Sequence, residues 1–376
     1  MLKKIVILFF FSRILLIVFS IFAAFLYPIR EGYLGKEIDP NAPYQIWIWA
    51  NFDGRHFLHI VQEGYKDFNF AFFPLYPFLI SLTSRLFSLP SIISGLIVSY
   101  SFSIAMIIVL YKIIRLDYKD NVSLVAIFLL SIFPVSYYFQ AVYSESVFIF
   151  FLVSSFYLAR KKNFFLSGVF AALCTLTRFS GIALIPALVT EWVFQNENLL
   201  KNYKIFLKKL LTQGIFYPFI GFTGIGIYML YLKIAFNDPF LFYKSFSAWS
   251  REELTFLPVV IYRYFRIFLT VDKNLQVYWI AVLEFVVAMG SLIASLFVWK
   301  KVRPSYAILM ISIILMGSTS GSFIGTPRYI LHSFPLFIWL SLLSCKNRQI
   351  FYFLVFVFLV LSFIFTAMFT RGYFVS

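Results

Sequence analysis

Four of the charged residues in or beside long apolar segments are predicted to lie on one side of a membrane, where this sequence could do chemistry: Asp53, Glu145, Arg178 and Arg328. Ionisable side chains at membrane depth are costly and are therefore candidates for function. A carboxylate at a water–membrane boundary can take up a proton as a general base. An arginine beside a helix N-terminus can bind an anion, and two such sites suit a phosphate or pyrophosphate group.

Asp53 lies in the stretch Trp49–Ile60, whose apolar residues recur at helical spacing. We predict a helix along the membrane surface that Asp53 opens. Two roles stay open for its carboxylate, an N-cap of this helix or a general base facing water. Asp53, His56 and His59 are three residues apart and could offer three ligands to a metal. The spacing drifts around a helix and no fourth ligand is evident, so we expect no metal.

Glu145 and the two arginines are each predicted to lie at a helix start. Ser144 is a good N-cap, and the carboxylate of Glu145 suits the positive end of the helix that follows. This structural role competes with a catalytic role for Glu145. Arg178 lies at the tip of a short predicted hairpin, where anion binding competes with snorkelling towards lipid headgroups. Arg328 follows Pro327 at a further predicted helix start, with Thr326 as its cap. We predict that Arg178 and Arg328 bind a phosphate group.

The composition is that of a polytopic membrane protein. Hydrophobic residues fill 61% of the 376 positions and charged residues only 13%, about half of what a soluble domain carries. The net charge of +16 comes from basic clusters between apolar runs, which is typical of cytoplasmic loops and not of a nucleic-acid surface. Cys174 and Cys345 lie in separate apolar segments and predict no disulfide.

The basic clusters predict how the chain is oriented, because cytoplasmic loops are enriched in lysine and arginine. The clusters are Lys3–Lys4; Lys112, Arg115 and Lys119; Arg160–Lys162; Lys201, Lys204, Lys208 and Lys209; Lys300, Lys301 and Arg303; and Lys346 with Arg348. With the N-terminus and all six clusters cytoplasmic, an even number of crossings must separate each pair of clusters. This predicts about eleven spans. They are 5–27, 91–111, 122–139, 143–159, two within 164–194, 215–235, 278–299, 306–320, 328–344 and 350–369.

Two segments must depart from full-length spans. Parity requires that the apolar run 72–89 does not cross, and its prolines fit a short interfacial or re-entrant helix. Residues 164–194 are too few for two full spans, so the tip of this hairpin must stop within or near the outer part of the bilayer.

This topology leaves residues 28–90 and 237–274 outside, where they contribute the active-site side of a single domain over residues 1–376. The second of these loops contains Trp249 and Arg251 among many aromatic residues. Such residues suit carbohydrate faces, and they equally suit the interfacial belt of a membrane protein. We find no internal repeat.

A set of short motifs runs through most of the chain. They are Trp49 with Asp53–Gly54, Glu63–Tyr65, Ala71–Pro77, Phe133–Pro134, Tyr143–Ser146, Leu176–Arg178 with Gly181, Asn237–Pro239 with Trp249 and Arg251, and Pro327–Tyr329 with Phe334–Leu336. The set resembles the PIG-V-type mannosyltransferase family (GPI mannosyltransferase 2-like), which are integral-membrane enzymes of the GT-C glycosyltransferase fold. One departure is Phe52, where the family usually has tryptophan directly before the aspartate.

The resemblance implies an all-α, polytopic bundle of GT-C type with a long first outer loop that carries interfacial helices. It implies transfer of mannose, or a related hexose, from a polyprenyl-phosphate-linked donor to a lipid-linked or glycan acceptor, with inversion. The acidic residue of the first outer loop, here Asp53, would be catalytic, and Glu145 is the reserve candidate. The residues expected to contact substrate are Trp49, His56, Tyr76, Trp249 and Arg251.

We expect no cofactor, no nucleic-acid partner, and membrane lipids around the protein. The active site would face the non-cytoplasmic side of the plasma membrane in a prokaryote, or of the endoplasmic reticulum in a eukaryote. A lipid or glycolipid transporter or flippase is the alternative. It would predict charged pairs near the bilayer midplane and inverted repeats, and the sequence offers neither.

The predicted topology can be tested with single cysteines in a background that lacks Cys174 and Cys345. Cysteines at Asn69 and Asp238 should react with an impermeant thiol reagent added from outside, and cysteines at Asn121 and Asn202 should not. Labelling at Asn121 from outside would show that residues 72–89 cross the membrane and would reverse the rest of the map.

Overall fold

A computed structural model describes residues 1–196, 214–249 and 255–375, without the side chains of Ala248 and Trp249. Its regular structure is helical throughout these residues. The chain divides into two compact units. The first contains Met1–Phe150, Leu241–Ser250 and Leu340–Ser376, and the second contains Phe151–Phe240 and Arg251–Trp339.

The α-helices alternate with short 3₁₀-helices. The α-helices are α1 Leu2–Leu26, α2 Tyr44–Trp47, α3 Asp53–Glu63, α4 Leu75–Phe87, α5 Ser91–Ile114, α6 Asp120–Ser131, α7 Glu145–Arg160, α8 Phe164–Thr177, α9 Leu184–Gln195, α10 Phe222–Phe236, α11 Leu241–Lys244, α12 Leu257–Thr270, α13 Gln276–Lys301, α14 Pro304–Ser318, α15 Thr326–Tyr329, α16 Phe334–Lys346 and α17 Arg348–Thr370. The 3₁₀-helices are Gly35–Glu37, Ile48–Ala50, Asp67–Ala71, Ser136–Phe139, Phe179–Ala183, Tyr217–Gly221, Ser245–Trp249 and Ile330–His332.

Five helical segments of the described chain are long and apolar enough to cross a membrane, and a sixth is formed if one bent pair counts as a single span. The five are Leu2–Leu26, Ser91–Ile114, Tyr217–Phe236, Gln276–Lys301 and Arg348–Thr370. The predicted all-α, multi-pass membrane architecture is therefore confirmed. The predicted number of eleven spans is not confirmed, because several of the other apolar helices are only 10–17 residues long.

Helix α1 shows how such a span is built. Its apolar side chains lie on all sides, and many are exposed, for example Phe11 (69%), Ile14 (59%) and Phe25 (84%). A helix that exposes this much apolar surface is stable where lipid replaces water. Arg13 lies on the opposite, buried side of α1 and is only 1% exposed.

Helix α4 confirms that the apolar run 72–89 forms a short helix. It has 13 residues, begins after Pro74 and ends where Ser88 adopts a left-handed backbone conformation (φ 51°). At about 1.5 Å per residue it is about 20 Å long, shorter than the hydrocarbon core of a bilayer. Its failure to cross the membrane stays a prediction.

The predicted span 122–139 was wrong in its second half. Helix α6 ends at Ser131, and a 3₁₀-helix follows at Ser136–Phe139. Pro134 cannot donate a backbone hydrogen bond and clashes with the preceding turn, so the helix cannot continue. The guanidinium group of Arg13 donates to the carbonyl oxygens of Ser131 and Ser136, both at 2.5 Å. Arg13 therefore satisfies backbone groups that the broken helix leaves open.

The predicted span 328–344 is also broken. Helix α15, which begins at Thr326 after Gly325 as its N-cap, leads through Ile330–His332 into α16 at Phe334. The two parts meet at an angle of 79°. The break lies at Ser333, whose backbone is not helical (ψ 56°), and Pro335 lies in the first turn of α16, where the N–H that proline lacks would have no helical partner. Thr326 is the first helical residue and not the predicted cap.

In the second unit, a buried carboxylate joins α9 to the start of α14. Glu191 is fully buried. Arg303 donates to both of its oxygens at 2.7 Å, and the hydroxyl of Ser305 donates at 2.6 Å. A two-pronged contact of this kind supplies the hydrogen bonds that a buried carboxylate needs. It fixes one end of the short hairpin of α8 and α9 whose tip carries Arg178.

We expect Arg13→Met to destabilise the first unit by about 1–3 kcal/mol, because it removes charge-assisted hydrogen bonds to two buried carbonyl groups. The measurement is the thermal melting temperature of the protein in detergent. Arg85→Met, which removes an exposed arginine, is the matched control. Equal melting temperatures for the two variants would contradict a supporting role for Arg13.

Candidate active site

Asp53 is the first residue of α3, as predicted. The N-cap position belongs to Phe52, whose φ of 55° is unusual for a residue with a side chain. Phe52 packs against the rings of Phe369 and Phe374 with ring centres 5.9 Å and 6.1 Å apart. The aromatic side chain before Asp53 therefore anchors the start of α3 to the end of α17. Asp53 itself is half-buried.

The backbone of Asp53 is held by a tyrosine from another element. The amide N–H of Asp53 donates to the hydroxyl of Tyr143 at 3.2 Å, and that hydroxyl donates to the carbonyl oxygen of Asn51 at 3.1 Å. Nearby, the amide of Val142 donates to the carbonyl oxygen of Trp49 at 2.8 Å. We call these contacts the Tyr143 junction. It ties the loop before α3 to the loop before α7.

Gly54 shows how closely these two loops approach. A β-carbon at Gly54 would lie 3.1 Å from the carbonyl oxygen of Val142, closer than most such contacts in proteins. A glycine is therefore favoured directly after Asp53 because the backbone of the neighbouring loop occupies the space of a side chain.

Asn51 is a residue of the site that the sequence analysis missed. It is fully buried, its side-chain oxygen accepts from the amide of Gly35 at 2.9 Å, and its side-chain nitrogen donates to the carbonyl oxygen of Phe369 at 2.9 Å. It thereby joins three segments that are distant in the sequence. The sequence signal that could have pointed to Asn51 is its position two residues before Asp53.

Glu145 is the first residue of α7, as predicted, and is fully buried. It follows Tyr143 by two residues, and its charge acts on the hydroxyl of Tyr76. Burial raises the pKa of this hydroxyl well above its ordinary value, and the charge of Glu145 adds to the rise. Asp53, whose backbone contacts Tyr143, and Glu145, two residues after Tyr143, thus lie in different environments, half-buried and fully buried.

Tyr76 has no exposed surface. Its hydroxyl is 2.8 Å from the hydroxyl of Ser99 and donates to the carbonyl oxygen of Gly95 at 3.3 Å. Ser99 in turn donates to the carbonyl oxygen of Tyr143 at 3.3 Å. In the structure Tyr76 therefore connects α4, α5 and the loop that carries Tyr143.

His56 lies one turn after Asp53 on α3. Its Nδ1 is 2.9 Å from the side-chain oxygen of Asn69, and its ring stacks on Phe72 with centres 4.9 Å apart. Burial lowers the pKa of His56, against the opposing effect of the Asp53 carboxylate. His59 instead faces Glu63, with a nitrogen–oxygen distance of 3.6 Å. Among the described residues, no group of three His, Cys, Asp or Glu side chains could hold a metal ion.

Arg178 and Arg328 both belong to the second unit. Arg178 directly precedes the 3₁₀-helix that leads into α9, as predicted for the hairpin tip. Its guanidinium carbon lies 5.9 Å from the ring centre of Tyr329. Arg328 is 8% exposed and lies in α15. Both arginines act electrostatically on the ring of His332, so the structure brings the two predicted phosphate-binding residues into one cluster.

Three further residues complete the predicted set. Trp49 lies in the 3₁₀-helix Ile48–Ala50 and is 4% exposed. Trp249 is the last residue of the 3₁₀-helix Ser245–Trp249, and its side chain is not among those that the structure describes. Arg251 lies outside the described residues.

A profile of the dolichyl-phosphate-mannose-protein mannosyltransferase family matches residues 73–222, less than half of the chain. The matched stretch includes Tyr143, Glu145 and Arg178, whereas Asp53 and Arg328 lie outside it. This is not the PIG-V family that the motifs resemble, and membership of the PIG-V family stays a prediction. A search of curated proteins finds no match.

Solved structures of the oligosaccharyltransferase of Archaeoglobus fulgidus are similar to the chain. One, in complex with zinc and sulfate, has 13% sequence identity and a TM-score of 0.45, covering 97% of this chain and 53% of that one. Another, of AglB with an inhibitory peptide and a dolichol-phosphate, has 12% identity and a TM-score of 0.47, covering 98% and 56%. The chain thus spans just over half the length of these proteins.

Proposed function

We propose that this protein is a membrane glycosyltransferase that moves mannose, or a related hexose, from a polyprenyl-phosphate-linked donor to a lipid-linked or glycan acceptor. The observation that carries the proposal is Asp53, half-buried at the start of α3 and held through its backbone by the Tyr143 junction. The match of residues 73–222 to a family of dolichyl-phosphate-mannose-dependent mannosyltransferases supports the same reaction class. The reaction takes place on the non-cytoplasmic face.

Asp53 is the general base of this reaction. An acceptor hydroxyl is a weak nucleophile until its proton is removed during attack on the anomeric carbon. The hydroxyl oxygen forms the new bond while the bond from the anomeric carbon to the donor phosphate breaks. The proton passes to the carboxylate of Asp53, and the electron pair leaves with the polyprenyl phosphate. Direct displacement of this kind inverts the anomeric centre.

Glu145 has a weaker claim to the same role. Its side chain is fully buried, so an acceptor hydroxyl could reach it only if the surrounding residues moved. Its charge acts on Tyr76, which is itself part of the contacts that hold Tyr143. We therefore assign Glu145 a supporting role. His56 and Trp49, which lie on the same segment as Asp53, are proposed to contact the substrate, together with Tyr76, Trp249 and Arg251.

Arg178 and Arg328 stabilise the departing phosphate. The polyprenyl phosphate gains negative charge as the glycosidic bond breaks, and guanidinium groups bind phosphate oxygens in pairs. The clustering of both arginines around His332 supports this role, because two positive charges share one location within the second unit.

We expect Asp53→Asn to slow sugar transfer by about 10²–10⁴-fold, the usual contribution of a general base, because it keeps the shape of the side chain but removes its basicity. The measurement is the release of polyprenyl phosphate from polyprenyl-phosphate mannose by purified protein with mixed lipid and glycan acceptors. A transporter would release none. Glu145→Gln is the matched variant. Normal transfer by Asp53→Asn beside an inactive, folded Glu145→Gln would show that the base is the other carboxylate.

We expect Arg178→Ala to slow transfer by about 30- to 1,000-fold, since one lost charge-assisted contact to a leaving phosphate costs about 2–4 kcal/mol. Arg178→Lys should recover only part of the rate, because lysine cannot bind two oxygens at once. Arg266→Ala, which removes an exposed arginine of the second unit, serves as the control. A stable Arg178→Ala protein with the wild-type rate would favour the alternative that Arg178 only contacts lipid headgroups.

A further inference from the structure

A cavity of about 440 Å³ lies within the first unit, between α1, α5 and the segment that contains α2. Its size is within the range of small-molecule sites in proteins. Ile17, Ile21 and Phe25 line it from α1, and Leu96 and Tyr100 line it from α5. None of the residues assigned above to proton transfer or phosphate binding lines this cavity.

The α1 side of the cavity is open towards lipid. Ile17, Ile21 and Phe25 are spaced one helical turn apart and are 40%, 48% and 84% exposed. They belong to a helix that is long and apolar enough to span the membrane. A side chain that both lines the cavity and is exposed on such a span is in contact with the bilayer. A lipid molecule can therefore enter sideways without passing through water.

The cavity lining includes a buried polar group that is not satisfied. Gln140 lines the cavity, is only 1% exposed, and neither its side-chain oxygen nor its side-chain nitrogen has a hydrogen-bond partner among the described residues. Burying an amide without partners is unfavourable. The amide can both donate and accept, so it matches a ligand group that does the same, such as a hydroxyl.

The lining of the cavity indicates that this ligand is uncharged. Its polar members are serine, tyrosine, glutamine and tryptophan, and none of its lining residues, all within the described chain, carries a charge. The nearby arginines already donate to groups of the protein itself. Arg371 donates to the carbonyl oxygen of Tyr27 and to the hydroxyl of Tyr44, and Arg13 donates to Ser131 and Ser136. A phosphate would find no cation on this surface.

The cavity is directly connected to the Tyr143 junction. Trp49 lines the cavity, and its carbonyl oxygen accepts the hydrogen bond from the amide of Val142. Gln140 lies on the same loop, three residues before Tyr143. A headgroup bound at Gln140 would therefore lie against the two segments that hold Asp53.

We propose that this cavity binds a lipid with an uncharged, hydroxyl-bearing headgroup, whose hydroxyl bonds to Gln140 while its chain lies between α1 and α5. This inference rests on the proposed function and names the acceptor class, a neutral lipid alcohol or glycolipid. The charged donor is bound elsewhere, by the arginines of the second unit.

Photolabelling tests the site without relying on sugar transfer. The probe is a diacylglycerol with a diazirine in one acyl chain, added to the full-length protein in phosphatidylcholine nanodiscs, and adducts are mapped by peptide mass spectrometry. We expect adducts at residues 17–25 and 96–100. Ala24→Trp, which fills the cavity from its exposed wall, should abolish them. Val18→Trp, an equally large change at an exposed position of α1 outside the cavity, should not.

Two further comparisons define the headgroup site. Gln140→Leu should weaken competition by unlabelled diacylglycerol by about three- to tenfold, the contribution of a neutral hydrogen bond. A polyprenyl phosphate should compete less well than diacylglycerol. Unchanged labelling in Ala24→Trp, or equal competition by the phosphate, would overturn the proposal. If labelling behaves as expected but the wild-type protein transfers no sugar, the proposed function fails and the lipid site stands.

Discussion

The hydroxyl of Tyr143 is the contact on which the candidate site depends. It accepts the amide hydrogen of Asp53 and donates to the carbonyl oxygen of Asn51, and so links the start of α3 to the loop before α7. Backbone polar groups at membrane depth need partners within the protein. The loop of residues 132–144 finds them in Arg13 on α1, in Ser99 and Ser103 on α5, and in Trp49.

The contacts that supply these backbone partners also give Asp53 and Glu145 different environments. The Tyr143 junction holds Asp53 at the start of α3, where its side chain is half-buried, whereas Glu145 is fully buried. A carboxylate that takes a proton from a substrate must be reachable, and one that stays enclosed acts through its charge. The loop also contributes Gln140 to the cavity of the first unit. The loop of residues 132–144 thus holds the proposed base Asp53, leads into the supporting residue Glu145, and contributes Gln140 to the proposed acceptor site.

The sequence alone was sufficient to predict the helix starts at Asp53 and Glu145, the short helix in residues 72–89, and the hairpin tip at Arg178. These depend on local signals such as prolines, caps and segment length. The predicted spans 122–139 and 328–344 did not include the breaks after α6 and α15. Proline positions indicate that a helix can break, but not which distant group stabilises the break. Arg13 and Asn51 act through partners more than 100 residues away, and hydrophobic periodicity carries no information about such contacts. The predicted count of eleven spans stays unconfirmed, because several apolar helices of the described chain are only 10–17 residues long.

We propose that Tyr143 is a positioning residue for Asp53, and the most direct measurement is the steady-state kinetics of Tyr143→Phe. The variant keeps the aromatic ring and loses only the hydroxyl. If Tyr143 positions Asp53, kcat for sugar transfer falls by about tenfold, the effect of about one hydrogen bond on the transition state, while KM for the donor stays unchanged. A kcat equal to that of the wild type in a folded Tyr143→Phe protein would contradict it.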